Sequence, residues 1–456
     1  MKQFSRMTAL LLTLVLVLSA CASGGNTPAP SSAAPPASGG EAAPAPAPDT
    51  ASFAGQTITA LFMSGSYADM AREVVVPKFE AATGAKIEIV DFPYASLHEK
   101  MLLDLTSSTA SYDLVDITCQ WDGEMTPFLE PLDPYIARDG FDIDDFDSNI
   151  LDNSGRWQGT IYGIPHVNTP YTLAYRTDLV EKPPETLDEY IALAEKYHDP
   201  AKGMYGVAPA MAKNQYGSIF FGRLWSLGGE WADENWNATM NTPEVRRALE
   251  VTMRLKELSD PACLSWGLPE SAAAFANGNA VFLEGWPTLN FLGIADDPEQ
   301  CKIVGNWALC PFPAEKTGLT ALSSWDIAIN KNSEKKDLSW EFIKMLVELE
   351  SQNTGFREYN ILPTRISFWE QEEIKQSPLF PLKDALSNAL IWWRIPASEE
   401  AKTEISNGFG SYLAGEKSIE EAMDYMQNGV EIALMNNPPP EGLLNVTAQT
   451  VQARMK

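Results

Sequence analysis

Histidine is scarce in this 456-residue chain: there are three, widely spread, which argues against a zinc site or a Ser-His-Asp triad. Cysteine is nearly as rare, at five, and no CxxC or mixed His/Cys metal spacing occurs. A GxSxG nucleophile elbow, an HExxH helix and a Gly-rich phosphate loop are all missing. Positive charge is in deficit, with 33 Lys and Arg against 61 Asp and Glu and a net charge of −28. A surface this acidic repels phosphate backbones and anionic headgroups, which excludes nucleic acid as a partner. Beyond the first 20 residues no apolar run approaches the roughly 20 residues that cross a bilayer. These gaps lead us to expect no catalytic residue, no metal and no cofactor.

The front of the chain supplies what the body lacks. Lys2 and Arg6 precede an almost wholly apolar stretch, residues 8–17, and Leu18-Ser19-Ala20 leads into Cys21. A positive start, a short apolar run and small residues at its end describe an export signal over residues 1–20. The Leu-Ser-Ala-Cys ending resembles the lipobox of bacterial lipoproteins. That resemblance implies diacylation of Cys21 and anchoring on the extracytoplasmic face of the cell membrane. Residues 22–50 are nearly all Ala, Pro, Ser and Gly, so residues 21–52 read as a disordered, Pro-stiffened tether.

The remaining body is too long for one ordinary core, and two lobes are expected. "QTITALFMSG" reads as a strand, "YADMAREVVVPKFEAATG" as a helix stopped at Gly84, and "AKIEIVDF" as a second strand. "SLHEKMLLDLTSS" reads as a helix and "YDLVDIT" as a third strand, an alternation that builds an α/β lobe around a mostly parallel sheet. Further on, Thr186 and Glu189 form a capping box ahead of a helix, and Thr242-Pro243 opens another. "SEKKDLSWEFIKMLVELE" places Leu338, Phe342, Leu346 and Leu349 on one helical face, and the C-terminal third is mainly helical. Four body cysteines remain. Cys301 and Cys310 flank the strand-like "KIVGNWAL", which disfavours their pairing; Cys263 with either of them, or four free thiols, both stay open.

Several stretches together resemble one family, the extracellular solute-binding proteins of ABC importers, in the carbohydrate-binding group that includes maltose-binding protein. They are "FEAATGAKIEIV", "GTIYGIPHVNTPYTLAYRTDLVEKPPETLDEY", "FANGNAVFLEGWPT", "LSSWDIAINKNSEKKDLSWEFIKML" and "NILPTR", in the family's order over residues 55–430. One departure is Ser323-Ser324, where the family usually carries Gly-Gly. The resemblance implies a two-lobed α/β fold of the type II periplasmic-binding-protein kind, with a hinged ligand cleft. It implies a first lobe of 53–168 plus 311–331, a second of 169–310 plus 332–440, and a tail of 441–456. Crossovers are expected at 168–170, 304–313 and 330–332.

A sugar presents flat apolar C–H faces and a rim of hydroxyls, so a site for one needs aromatic rings and polar side chains. The chain has 13 Trp, 14 Tyr and 19 Phe. Trp121, Trp286 and Trp325 stand at expected strand ends, where open α/β sheets place ligands, and Trp393 is a further candidate. Polar candidates are Ser64 and Tyr67 after the first strand, and Gln120 and Asp122 beside Trp121. Asn168 and Thr169 at the hinge entry, Ser324, Asp326 and Arg365 complete the expected ligand set. His166, next to the hinge, reads as structural. The expectation is a monomeric, non-enzymatic receptor that hands a carbohydrate or polyol to ABC permease subunits. The same fold with a non-sugar solute, or a lipid-anchored glycoside hydrolase, remains as an alternative.

Overall fold

The computed structural model describes residues 50–391 and 394–456. The expected export signal, Cys21 and nearly all of the tether lie outside those residues, as does Trp393. The body opens with β1 (Thr57–Met63), α1 (Ser66–Met70), a π-helical turn (Ala71–Val75) and α2 (Val76–Thr83). Gly84 ends α2 in the left-handed region, at φ 67°, as its lack of a Cβ permits. Next come β2 (Lys86–Phe92), α3 (Tyr94–Leu105) and β3 (Leu114–Thr118). The strands pair in the order β2-β1-β3, all parallel, because each connection carries a helix back across the sheet.

A long strand, β4 (Gly163–Pro170), runs directly into β5 (Thr172–Arg176) with only Tyr171 between them. These two strands belong to different sheets. The second sheet is completed by β6 (Tyr205–Pro209), β7 (Ala280–Gly285) and β8 (Trp307–Pro311), in the order β8-β5-β7-β6. Its helices include α4 (Leu187–Tyr197), α5 (Tyr216–Ser226), α6 (Pro243–Glu257) and α7 (Leu268–Ala276). The Thr186 hydroxyl accepts the Glu189 amide at 3.1 Å, and the Glu189 carboxylate accepts the amide of Glu185, one residue before the cap.

The chain returns to the first sheet with β9 (Thr320–Ile329), which pairs antiparallel to both β3 and β4. After α8 (Lys336–Leu346) and α9 (Leu349–Tyr359), a short β10 (Ala389–Leu390) adds to the edge of β9. The long helices α10 (Ser398–Leu413) and α11 (Ile419–Asn436) then pack on α5 and α6 of the second lobe, where Phe409 and Met426 share one core with Phe220 and Trp225. The core of the first sheet is separate and gathers Phe62, Phe79, Ile117 and Ile327.

Two expectations about the chain's course need correction. Leu338, Phe342 and Leu346 of α8 bury against the first sheet's core, so this stretch packs with the first lobe and not the second. The chain therefore does not cross at 330–332. There the Asn330 amide nitrogen is held by Asp104 and by the Tyr112 carbonyl, both in the first lobe. Leu349 leaves that helical face and begins α9. The stretch "KIVGNWAL" is a strand only from Trp307; residues 302–305 form turns. All four cysteines of the described residues are free and buried. Among the described residues, no helix is long and apolar enough to cross a membrane.

Candidate functional site

A cavity of about 490 Å³ opens between the two sheets. Its first-lobe wall is aromatic: Tyr67 from α1, Tyr94 at the start of α3, and Trp325 on β9. Trp121, three residues past the end of β3, backs this wall. Its ring stacks on Tyr94 at 5.4 Å and meets Trp325 edge-on at 5.8 Å. Tyr67 leans on Trp325 at 6.1 Å. The second-lobe wall carries Trp286, which caps the short turn after β7, with Leu268 and Leu289 beside it. Each lobe thus presents an indole to one shared space.

Trp286 is held from behind by Tyr171, the single residue linking β4 to β5, with ring centroids 5.4 Å apart and perpendicular. The Tyr171 hydroxyl donates to Glu284 Oε1 at 2.6 Å, and the Tyr190 hydroxyl donates to Oε2 at 3.0 Å. Arg223 pairs with the same carboxylate at 2.6 Å, and neither side chain is exposed. Burial, then the Glu284 charge, drives the Tyr171 phenol far above its ordinary pKa, which keeps it a donor. A buried cluster that satisfies both oxygens of the Glu284 carboxylate fixes one geometry at the crossover.

Polar groups line the same cavity without partners of their own. Among the described residues, the side chains of Tyr67, Gln120, Ser218 and Ser323 make no hydrogen bond within the protein. Burial, and then Asp116, raises the Tyr67 phenol, so it too remains protonated. Such groups are donors and acceptors waiting for a solute's hydroxyls.

The sequence candidates divide by the alternation of β9. Strand side chains point to opposite faces in turn, so Ser323 and Trp325 reach the cavity while Ser324 and Asp326 point behind the sheet. Ser324 gives its hydroxyl to Asn168 Oδ1 at 2.8 Å, a pairing fully buried between β9 and β4. It is Ser323, and not Ser324, that fronts the cavity. Asp326 is wholly buried, and burial together with the nearby Asp122 and Asp116 carboxylates drives its pKa well up although Ser154 and Arg394 pull the other way. Asp122 is tied to Arg394 at 2.7 Å behind the sheet; burial raises its pKa to about 7 although Arg394 pulls the other way. Thr169 is buried opposite Ser323, and Ser64 lies just past β1 without reaching the cavity wall.

Arg365 is a correction as well. Its guanidinium pairs with Asp145 at 2.9 Å, donates to the Val347 carbonyl at 2.5 Å and lies over the Phe146 ring at 4.7 Å, so its charge is met within the fold, and it does not line the cavity. His166 reads as structural here too: its Nε2 lies 2.8 Å from Asp116, behind Tyr67. Trp325 sits inside β9 and not before it, because the strand begins at Thr320. Sequence reasoning missed Tyr94 and the second-lobe group Lys213, Asn214, Gln215, Ser218 and Lys402. A helix N-terminus at Tyr216 was the signal available, but nothing in the sequence said which way it points. A smaller cavity of about 360 Å³ lies between Trp157, Arg394 and Leu443, away from the aromatic walls.

The model of the bacterial extracellular solute-binding protein family matches residues 64–353. The chain belongs to that family. Its relatives include a probable amino-acid ABC transporter periplasmic-binding protein of Sinorhizobium fredii, 25% identical over 398 residues, covering 83% of this chain and 89% of the relative. The erythritol/L-threitol-binding protein of Mycolicibacterium smegmatis is 25% identical over 367 residues and covers 74% of each chain. Among solved structures, maltose-bound MalE3 of T. maritima superposes with a TM-score of 0.73 at 23% identity, over 82% of this chain and 99% of its own. A ribitol complex of a solute-binding protein from Agrobacterium radiobacter K84 gives 0.71 at 23% identity, over 83% and 99%. The family expectation and the two-lobed type II fold are thereby confirmed.

Proposed function

We propose that this protein is the solute receptor of an ABC importer, capturing a sugar, oligosaccharide or sugar alcohol and passing it unaltered to permease subunits. The observation that carries the reading is the shared cavity: an indole from each lobe, Trp286 and Trp325, with unpartnered hydroxyls and amides around them. Aromatic faces suit the C–H surfaces of a polyhydroxylated solute, and each polar group left unmatched on closure costs about 1–3 kcal/mol, which sets specificity. Relatives named for maltose, ribitol and erythritol/L-threitol support this ligand class. The receptor acts without catalysis, as a monomer, held to the extracytoplasmic face of the membrane through lipid on Cys21.

The lobes close by bending at Tyr171 and at the β8–β9 connection, the two places where the strands change sheets. Titration of intrinsic Trp fluorescence with a panel of sugars and polyols tests the reading. A saturable change with one compound, recovered intact by mass spectrometry, is expected. Conversion of that compound would point to a hydrolase, and silence across the panel would remove the carbohydrate class. A second reading, an amino-acid ligand, is favoured by the name of the S. fredii relative; amino acids belong on the same panel.

A further inference from the structure

The charged side chains of the cavity run against the rest of the molecule. Acidic residues outnumber basic ones almost two to one in the chain, yet no carboxylate lines this cavity among the described residues. Its two ionic groups are Lys213 and Lys402. Lys402 is paired with Glu399 at 2.7 Å. Lys213 has only a neutral partner, the Asn407 amide oxygen at 3.0 Å, so its charge is left over.

Lys213 also stands at the mouth of a helix. A 3-10 turn, Lys213–Gln215, leads without a break into α5, and no side chain caps the start. The amides of Lys213 and Asn214 donate to no described acceptor, whereas Gln215 and Tyr216 already reach back to Ala212 and Lys213. The open end of the helix therefore faces the cavity with free N–H groups and the positive pole of its dipole. An independent observation points the same way. Ser218, in the first turn of α5, is only 8% exposed, lines the cavity and gives its hydroxyl to nothing in the protein.

We infer that the solute carries a carboxylate, seated at the start of α5 between the Lys213 ammonium, the free amides of residues 213 and 214, and the Ser218 hydroxyl. This rests on the solute-receptor reading above and narrows it, from sugars and polyols in general to polyhydroxylated acids such as aldonates or uronates. The acid group docks on the second lobe, and the hydroxylated chain lies toward Trp325, Tyr67 and Ser323 on the first. Such an arrangement explains why an acidic protein keeps its cleft free of carboxylates. A lone ammonium with backbone amides and a hydroxyl matches one delocalised negative charge by short, charge-assisted hydrogen bonds.

Matched pairs decide the matter: D-mannitol against D-mannonate, ribitol against ribonate, D-glucose against D-glucuronate, with L-amino acids as a third arm. Affinities come from Trp fluorescence and calorimetry at low and high salt. For one pair, the acid is expected to bind about tenfold or more tighter than its neutral counterpart, with the gap narrowing as salt rises. Lys213→Gln, at an exposed position, should cut the acid's affinity several-fold and the neutral partner's far less, so that the gap between the two narrows; Ser218→Ala should narrow it more weakly.

Neutral compounds binding as tightly as their acids would overturn the carboxylate assignment while leaving the receptor reading in place. An acid preference unmoved by both substitutions would overturn the assignment to α5. Binding of amino acids alone, weakened by Lys213→Gln, would keep the carboxylate seat and sink the carbohydrate reading.

Discussion

Tyr171→Phe tests how the crossover supports the cleft, because it deletes one oxygen and keeps the ring against Trp286. The lost bond is a 2.6 Å donation to a carboxylate that is 1% exposed. Hydrogen bonds to charged groups contribute roughly 1.5–3 kcal/mol, and the Glu284 carboxylate keeps Arg223 and Tyr190 when the phenol goes. We therefore expect a loss of about 2 kcal/mol in urea unfolding. Glu284→Ala should be costlier, on the order of 3–5 kcal/mol, since it leaves the fully buried Arg223 guanidinium without its counter-charge. The double variant should cost little more than Glu284→Ala alone, because the phenol's acceptor is already gone. Trp fluorescence supplies the second readout: in Tyr171→Phe the emission of Trp286 should shift and ligand affinity should fall. A Tyr171→Phe variant as stable as the parent with unchanged affinity would refute the idea that this network holds the cleft wall. Additive costs in the double variant would refute the shared acceptor.

Three further outcomes follow from particular side chains. Arg365→Met should lower stability, by loss of the Asp145 pair, and leave ligand affinity unchanged in fluorescence titration; an affinity loss beyond threefold or so, about 0.6 kcal/mol, would return Arg365 to the site. Glu230 is buried against the Trp225 indole N–H and the Trp231 amide, and burial raises its pKa to about 8. A raised carboxyl binds its proton more tightly in the folded state, so its stabilising share is fully present below the unfolded value near 4.3 and fades as pH climbs toward 8. Thermal melts should thus show stability falling between pH 5 and 8, with a shallower slope in Glu230→Gln. The four body cysteines, buried and free, should all resist a thiol reagent in the native state and all react on unfolding; any that stayed silent after unfolding would reveal a disulfide.

The first lobe was legible because its signals are local. Its strands alternate or run continuously apolar and Gly84 stops a helix; in the second lobe, Thr186 and Thr242 cap their helices through their own hydroxyls, an equally local signal. The course after β9 was not, because Leu338, Phe342 and Leu346 make an apolar face that would suit either core. Only the three-dimensional path showed that α8 turns back onto β9 and α2 in the first lobe. Lobe membership of an amphipathic helix is a property of what it meets, which periodicity does not encode. Arg365 misled for a similar reason: a guanidinium in a motif has five donors, and whether a ligand or Asp145 receives them depends on a residue far away in sequence.

Within the site itself, the indoles were found and most of the polar groups were not, and one strand explains why. An aromatic at the end of a strand or on its exposed face has few places to go, so Trp286 and Trp325 announce themselves. A serine beside such a ring faces either way, and shifting the assignment by one residue moves it to the other side of the sheet. Ser323 and Ser324 form that case: the first meets the cavity and the second bonds Asn168 behind it. The same step sends Asp326 into the interior, where burial drives its pKa up and no charge is offered to a solute. With both expected carboxylates, Asp122 and Asp326, turned away from the cavity, the electrostatic character of the cleft passes to the other lobe. There Lys213 and the open start of α5 decide which solutes the receptor can hold.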